Sequence, residues 1–185
     1  GLRLDVAYSL DHDFMRRLRS FCQSLKPDFA LIGEVLFGDY NLIVNDQMLH
    51  SCTNYECYKG IFSSLNDMNF FEIGYSLNRQ FGPEHWCIYR DKHLMTFVDN
   101  HDTQPGQALE SWILDWFKPL AYSLILLRKD GFPCVFYGDY YGIPQQNVSS
   151  KKNILDILLK VRKYFAYGEQ IDYFNDKHII GFSRN

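Results

Sequence analysis

Three carboxylates stand at the ends of apolar runs in this sequence: Asp5 in LRLDVA, Glu34 in LIGEV and Asp102 in FVDNHD. Charge at the end of a buried strand is costly unless it is paired or useful. Arg3 lies two residues before Asp5, so on a strand both side chains point the same way, and the guanidinium can hold the carboxylate ionised and oriented. His101 precedes Asp102 and is placed to donate a hydrogen bond to a substrate hydroxyl. Singly, each feature has an ordinary explanation: a structural ion pair, a solvated strand end, a turn with an aspartate cap. Jointly they suit cleavage of a glycosidic bond, in which one carboxylate attacks the anomeric carbon and a second protonates the leaving oxygen. The second must be kept protonated by burial or a like charge, and the apolar LIG offers Glu34 such surroundings.

These side chains can act together only if the elements between them bring their strand ends to one face. Leu2–Ala7 reads as a buried strand. Asp11 caps a helix on which Phe14, Leu18, Phe21, Cys22 and Leu25 recur at helical spacing, with Arg16, Arg17 and Arg19 outward, until Lys26-Pro27-Asp28 ends it. Phe29–Val35 is a second strand and Asp39–Asn54 irregular. Glu56–Leu65 and Phe70–Phe81 read as helices and Met95–Val98 as a strand. Leu109–Arg128 is helical, with Pro119 starting a new helix or kinking this one. Cys134–Tyr137 is a strand, Ile154–Phe165 an amphipathic helix and His178–Ser183 a strand. The alternation implies βα units and a parallel sheet with both faces covered. Asp5 and Glu34 are about one βα unit apart, Glu34 and Asp102 about two. In a β/α barrel every strand opens at its C-terminal end onto one face, where active sites form.

Composition excludes other classes. A net charge of −3 gives no basic field for a nucleic acid. No apolar run approaches the roughly 20 residues that span a bilayer, and there is no G-x-G-x-x-G or Walker pattern. The five cysteines, Cys22, Cys52, Cys57, Cys87 and Cys134, form no C-x-x-C and read as small buried hydrophobes, a Cys52–Cys57 disulfide being the alternative. His50, His85 and His93 have no partners at metal spacing and read as surface or packing residues. Phe37, Tyr40, Tyr140 and Tyr141 are candidates to stack on sugar rings, whereas Trp112 and Trp116 read as core.

GLRLDVA, GEV and FVDNHD, in that order, resemble the catalytic motifs of the α-amylase family of retaining α-glucan hydrolases, and the similarity runs over most of the chain. The resemblance implies Asp5 as nucleophile, Glu34 as general acid/base, and Asp102 as a third carboxylate binding hydroxyls of the distorted sugar. It implies Arg3, His101 and Tyr8 as substrate-binding residues, with Arg3 also holding Asp5. It implies an α/β fold: strands four to eight of a partial (β/α)8 barrel over residues 1–168, and the start of a C-terminal β-domain over 169–185. The first three strands, an Asp-x-x-x-Asn-His motif and the insertion carrying most of the family's calcium ligands are then expected upstream. Calcium is expected only in the full-length protein, and no metal or cofactor is assigned here.

Residues 1–102 resemble neopullulanase-like and cyclodextrinase-like members, while DNHDTQPGQALESWILDWFKPLAYSLILLRKDGFPCVFYGDYYGIP resembles liquefying α-amylases. A natural intermediate subgroup and a chimera both remain open. Tyr8-Ser9 replace the Lys-His of the liquefying type. The implied partner is an α-1,4-glucan oligo- or polysaccharide. Neopullulanase, cyclodextrinase or transglycosylase activity, or a catalytically inert fragment, are the alternatives. Strand edges at Leu2–Ala7 and Cys134–Tyr137 invite association, so a homo-oligomer is expected.

Overall fold

The computed structural model describes residues 1–36, 40–45, 47–67, 94–175 and 179–185. The chain forms two compact units, Gly1–Tyr55 with Asn78–Met95, and Glu56–Leu77 with Thr96–Asn185.

In the first unit β1 (Leu2–Leu4), β2 (Leu31–Gly33) and β3 (Ser51–Cys52) form a parallel sheet in that order, with Arg3 opposite Ile32 and Ile32 opposite Ser51. Parallel pairing requires a crossover, and α1 (His12–Leu25) supplies it. Asp11 caps α1 as the sequence suggests, its carboxylate accepting from Phe14 N at 2.7 Å. The buried face differs from the expected one. Met15, Arg19 and Cys22 point inward, while Phe14, Phe21 and Leu25 are exposed. Arg19 can face the interior because its guanidinium donates to the Asn45 carbonyl at 2.7 Å while its stem packs. β1 is also shorter and more exposed than predicted, since the backbone turns at Asp5-Val6. The stretch expected to be irregular holds a short helix, α2 (Tyr40–Ile43), and β3. His50 is a packing residue: its Nδ1 accepts from Leu31 N at 2.9 Å. The core of this unit gathers Ala7, Met15, Leu31, Val35, Leu49 and Cys52.

The second unit contains α3 (Tyr55–Asp67, from Glu56 onward), β4 (Met95–Phe97, from Thr96 onward) paired with β5 (Phe132–Cys134), α4 (Lys118–Leu127), α5 (Tyr137–Tyr141), α6 (Lys152–Tyr164) and a hairpin of β6 (Gln170–Asn175) and β7 (Ile180–Arg184). α4 packs on α6. The helix predicted from Leu109 begins only at Lys118, with Pro119 in its first turn, where a proline loses no hydrogen bond. The preceding chain is irregular because Ile113 N is taken by the Asp99 carboxylate at 3.1 Å. Trp116 is therefore exposed and not core. The CVFY strand ends at Cys134, and Tyr137 already opens α5. The hairpin is tied to the end of α4 by Arg128–Asp172 at 2.9 Å and by Arg184 Nη1 to the Leu127 carbonyl at 3.1 Å.

Cys22, Cys52 and Cys57 are buried thiols, so no Cys52–Cys57 disulfide forms; Cys134 is a thiol too but exposed, contrary to expectation. The helix predicted over Phe70–Phe81, together with Phe37, His85, Cys87, His93 and His178, lies outside the described residues. Among the described residues no helix is long and apolar enough to cross a membrane.

Candidate active site

At the end of β1 and β2 one guanidinium serves two carboxylates. Arg3 Nη1 bonds Asp5 Oδ1, and Arg3 Nη2 lies 3.2 Å from Glu34 Oε1. The two acids differ in surroundings. The Asp5 side chain is 69% exposed and that of Glu34 only 10%. Glu34 also accepts from Tyr55 OH at 3.2 Å and from Val6 N at 3.1 Å. These bonds orient both of its oxygens.

The backbone that carries Asp5 is bent for this purpose. Val6 has φ 45° and ψ 43°, a left-handed conformation that costs a β-branched residue about 1–2 kcal/mol. It turns the chain so that Val6 N and Ala7 N meet Glu34, the second at its carbonyl at 2.9 Å, while Glu34 N reaches the Leu4 carbonyl at 2.8 Å. Gly33 precedes Glu34 because a Cβ there would collide with Leu49 and lie 2.8 Å from the Ala7 Cβ. Tyr8 is half-buried and packs against the core of the first unit.

His101 and Asp102 belong to the second unit, in the turn after β4. His101 Nε2 is 3.4 Å from Asp102 Oδ2, and their side chains are 58% and 34% exposed. The turn is built by Asn100, whose Oδ1 accepts from Asp102 N at 2.9 Å and Thr103 N at 3.0 Å. His101 and Gln104 line a cleft of about 330 Å³ together with Phe136, Tyr137, Ile143 and Gln145. The Tyr141 ring packs at a 40° tilt against that of Tyr137, with ring centres 4.6 Å apart, and Tyr140 donates to Asp156 at 2.6 Å.

Behind this turn lies a buried charged cluster that the motif reading passed over. The Lys118 ammonium is 2.9 Å from Asp99 Oδ2, bonds Asp139 Oδ1 and sits 3.0 Å from the centre of the Trp112 ring. Tyr122 OH donates to Asp139 Oδ2 at 2.6 Å, and Thr103 Oγ1 to Asp99 Oδ1 at 2.6 Å. All three charged side chains are almost wholly buried. Two carboxylates face one ammonium, and burial pushes Asp99 up to about 7, opposed by Lys118. Burial lowers Lys118, opposed by the two carboxylates, and raises Tyr122 well above its usual value. The signal was present in the sequence as a lysine and two aspartates inside apolar stretches (FVD, WFK, FYGD). Among the described residues no three His, Cys, Asp or Glu side chains cluster as metal ligands.

Parallel strands crossed over by a helix, with carboxylates at the strand ends, define an α/β protein whose site is made of acids. No family model matches the chain. An α-amylase of Geobacillus stearothermophilus is 42% identical over 196 residues, which take in 100% of this chain and 34% of that protein. A glucan 1,4-alpha-maltohexaosidase of Bacillus sp. (strain 707) is 36% identical over 192 residues, 100% of this chain and 36% of that protein. A solved cyclomaltodextrinase superposes with a TM-score of 0.78 at 21% identity, covering 100% of this chain and 35% of that one, a likeness of fold. The chain belongs to the α-amylase family of glycoside hydrolases and has its α/β fold. It spans about a third of the length of these curated relatives.

Proposed function

We propose that this chain carries catalytic residues for retaining hydrolysis of α-1,4-glucosidic bonds in starch-like glucans. Asp5 attacks the anomeric carbon and forms a glycosyl ester while Glu34 donates its proton to the departing oxygen. Water then gives a proton back to Glu34 and cleaves the ester, with net retention. Asp102 and His101 bind hydroxyls of the reacting sugar, and Arg3 and Tyr8 complete the substrate contacts. The reading requires Asp102 to reach the same sugar as Asp5 and Glu34. Residues 1–168 are read as strands four to eight of a β/α barrel and 169–185 as the start of a β-domain.

The observation that carries this reading is the Arg3 guanidinium shared by an exposed Asp5 and an enclosed Glu34. A shared guanidinium requires neighbouring carboxylates, which suits the about 5–5.5 Å of retaining enzymes better than the about 6.5–9.5 Å of inverting ones. The name cyclomaltodextrinase on a structural neighbour keeps cyclic glucans as the second candidate substrate.

The test is product analysis on starch, cyclodextrin and pullulan, with the anomer read by NMR. The expected outcome is α-configured product from starch, and loss of about 10²–10⁴-fold in turnover for Glu34→Gln. A mechanism-based fluorosugar should leave its mass on the peptide holding Asp5. Label on another carboxylate, or β-configured product, would defeat the assignment. Absence of cleavage of any of the three glucans would favour the inert reading.

A further inference from the structure

Lys118 has three N–H donors and three fixed neighbours: Asp99, Asp139 and the face of Trp112. Burying such a cluster contributes little net stability compared with apolar side chains of the same volume. What it supplies is direction. Asp99 Oδ2 is pinned by Lys118 and Ile113 N, which leaves Oδ1 for the Thr103 hydroxyl. With its proton committed, that hydroxyl accepts from Asn100 N at 3.0 Å, and the Asn100 side chain in turn holds the amides of Asp102 and Thr103. Lys118 also bonds Asp139 of α5, close in sequence to Phe136 and Tyr137, which line the same cleft as His101. Phe136 N meets the hydroxyl of Tyr122, which itself holds Asp139. One ammonium thus ties the turn after β4 and α5, both of which contribute to the cleft, to a single point.

We infer that Lys118 is a positioning residue for the turn that presents His101 and Asp102, acting through Asp99 and Thr103, and that it also fixes α5 beside the cleft through Asp139. The inference rests on the reading of Asp102 as a residue that grips an α-glucan.

The experiment compares wild type, Thr103→Val, Thr103→Ser and Lys118→Met, each alone and with Asp102→Asn. Starch hydrolysis and amide hydrogen exchange over residues 100–104 are the two readouts. Thr103→Val carries the test where Lys118→Met does not fold. Thr103→Val and Lys118→Met should lower kcat about tenfold or more with KM changed far less, because the loss falls on the transition state. Thr103→Ser, which keeps the hydroxyl, should restore most of it. In the Asp102→Asn background the same changes should cost less than about twofold, since groups acting as a unit are not additive. An equal factor in both backgrounds would mean a purely structural role and overturn the inference. Exchange at 100–104 should quicken by about tenfold or more in Thr103→Val and Lys118→Met, and unchanged exchange would also overturn it. If wild type and Asp102→Asn are alike in failing to cleave starch, the glucan reading falls, and exchange alone decides whether Lys118 orders the turn.

Discussion

Two aspartates in this molecule, Asp5 and Asp99, show how surroundings assign different work to the same side chain. Asp5, the proposed nucleophile, projects into solvent beside a guanidinium. Asp99 is sealed in with a second carboxylate and a single ammonium, so burial favours its protonated form and holds it up at about 7. The sign of the consequence follows from linkage. Between about pH 4 and pH 7 the folded state retains a proton that the unfolded state has released, so stability falls as pH rises through this window. The contribution is fully present below about pH 4 and lost above about pH 7, with an upper bound on the order of 4 kcal/mol. Asp99→Asn should flatten this slope. The check is the denaturant midpoint of both proteins from pH 5 to pH 8, and an equal slope in the two would contradict it. Exposed carboxylates such as Glu169, lowered by Lys129, act in the opposite sense at low pH and are common to both proteins.

Among the elements, the end of β2 is the most constrained. Gly33 pairs with Leu4 on one side and Cys52 on the other, and a methyl group at its Cα would strike Leu49 and Ala7. Gly33→Ala should cost about 1–3 kcal/mol by overpacking. It should also lower turnover, because the following residue is Glu34, whose backbone joins the end of β1. Urea titration and starch assay of the same preparation check the two effects, and a fully stable Gly33→Ala would show that Leu49 moves aside without strain. α1 teaches a related lesson. Its sequence carries apolar residues on two adjacent stripes, and only the one through Met15 and Cys22 is buried. Phe14, Phe21 and Leu25 remain exposed, a choice that helical periodicity alone does not make.

For the whole chain, exposed large apolar side chains occur in both units. Phe21, Leu25, Tyr137 and Phe165 are each more than half exposed, and β1 stands at the end of its sheet order. Contiguous apolar surface and strand edges drive association. A chain of these 185 residues should run as a dimer or larger species in sedimentation at micromolar concentration. A monomer with normal starch turnover would refute both the association and the inert-fragment alternative.

Element types and motif order were legible in the sequence because they depend on near neighbours. Asp11 as a cap, Lys26-Pro27 as a stop, and the βα alternation are set by local hydrogen bonding and by spacing along the chain. So was the presence of acids at the ends of β1 and β2, since a charge after an apolar run is visible without coordinates. The tertiary structure alone decided which stripe of α1 is buried, that Arg3 spans both Asp5 and Glu34, and that Lys118 closes on Asp99 and Asp139 from 19 and 21 residues away. Those pairings arise from how strands and helices pack, and packing is a property of segments remote in sequence that no local pattern encodes.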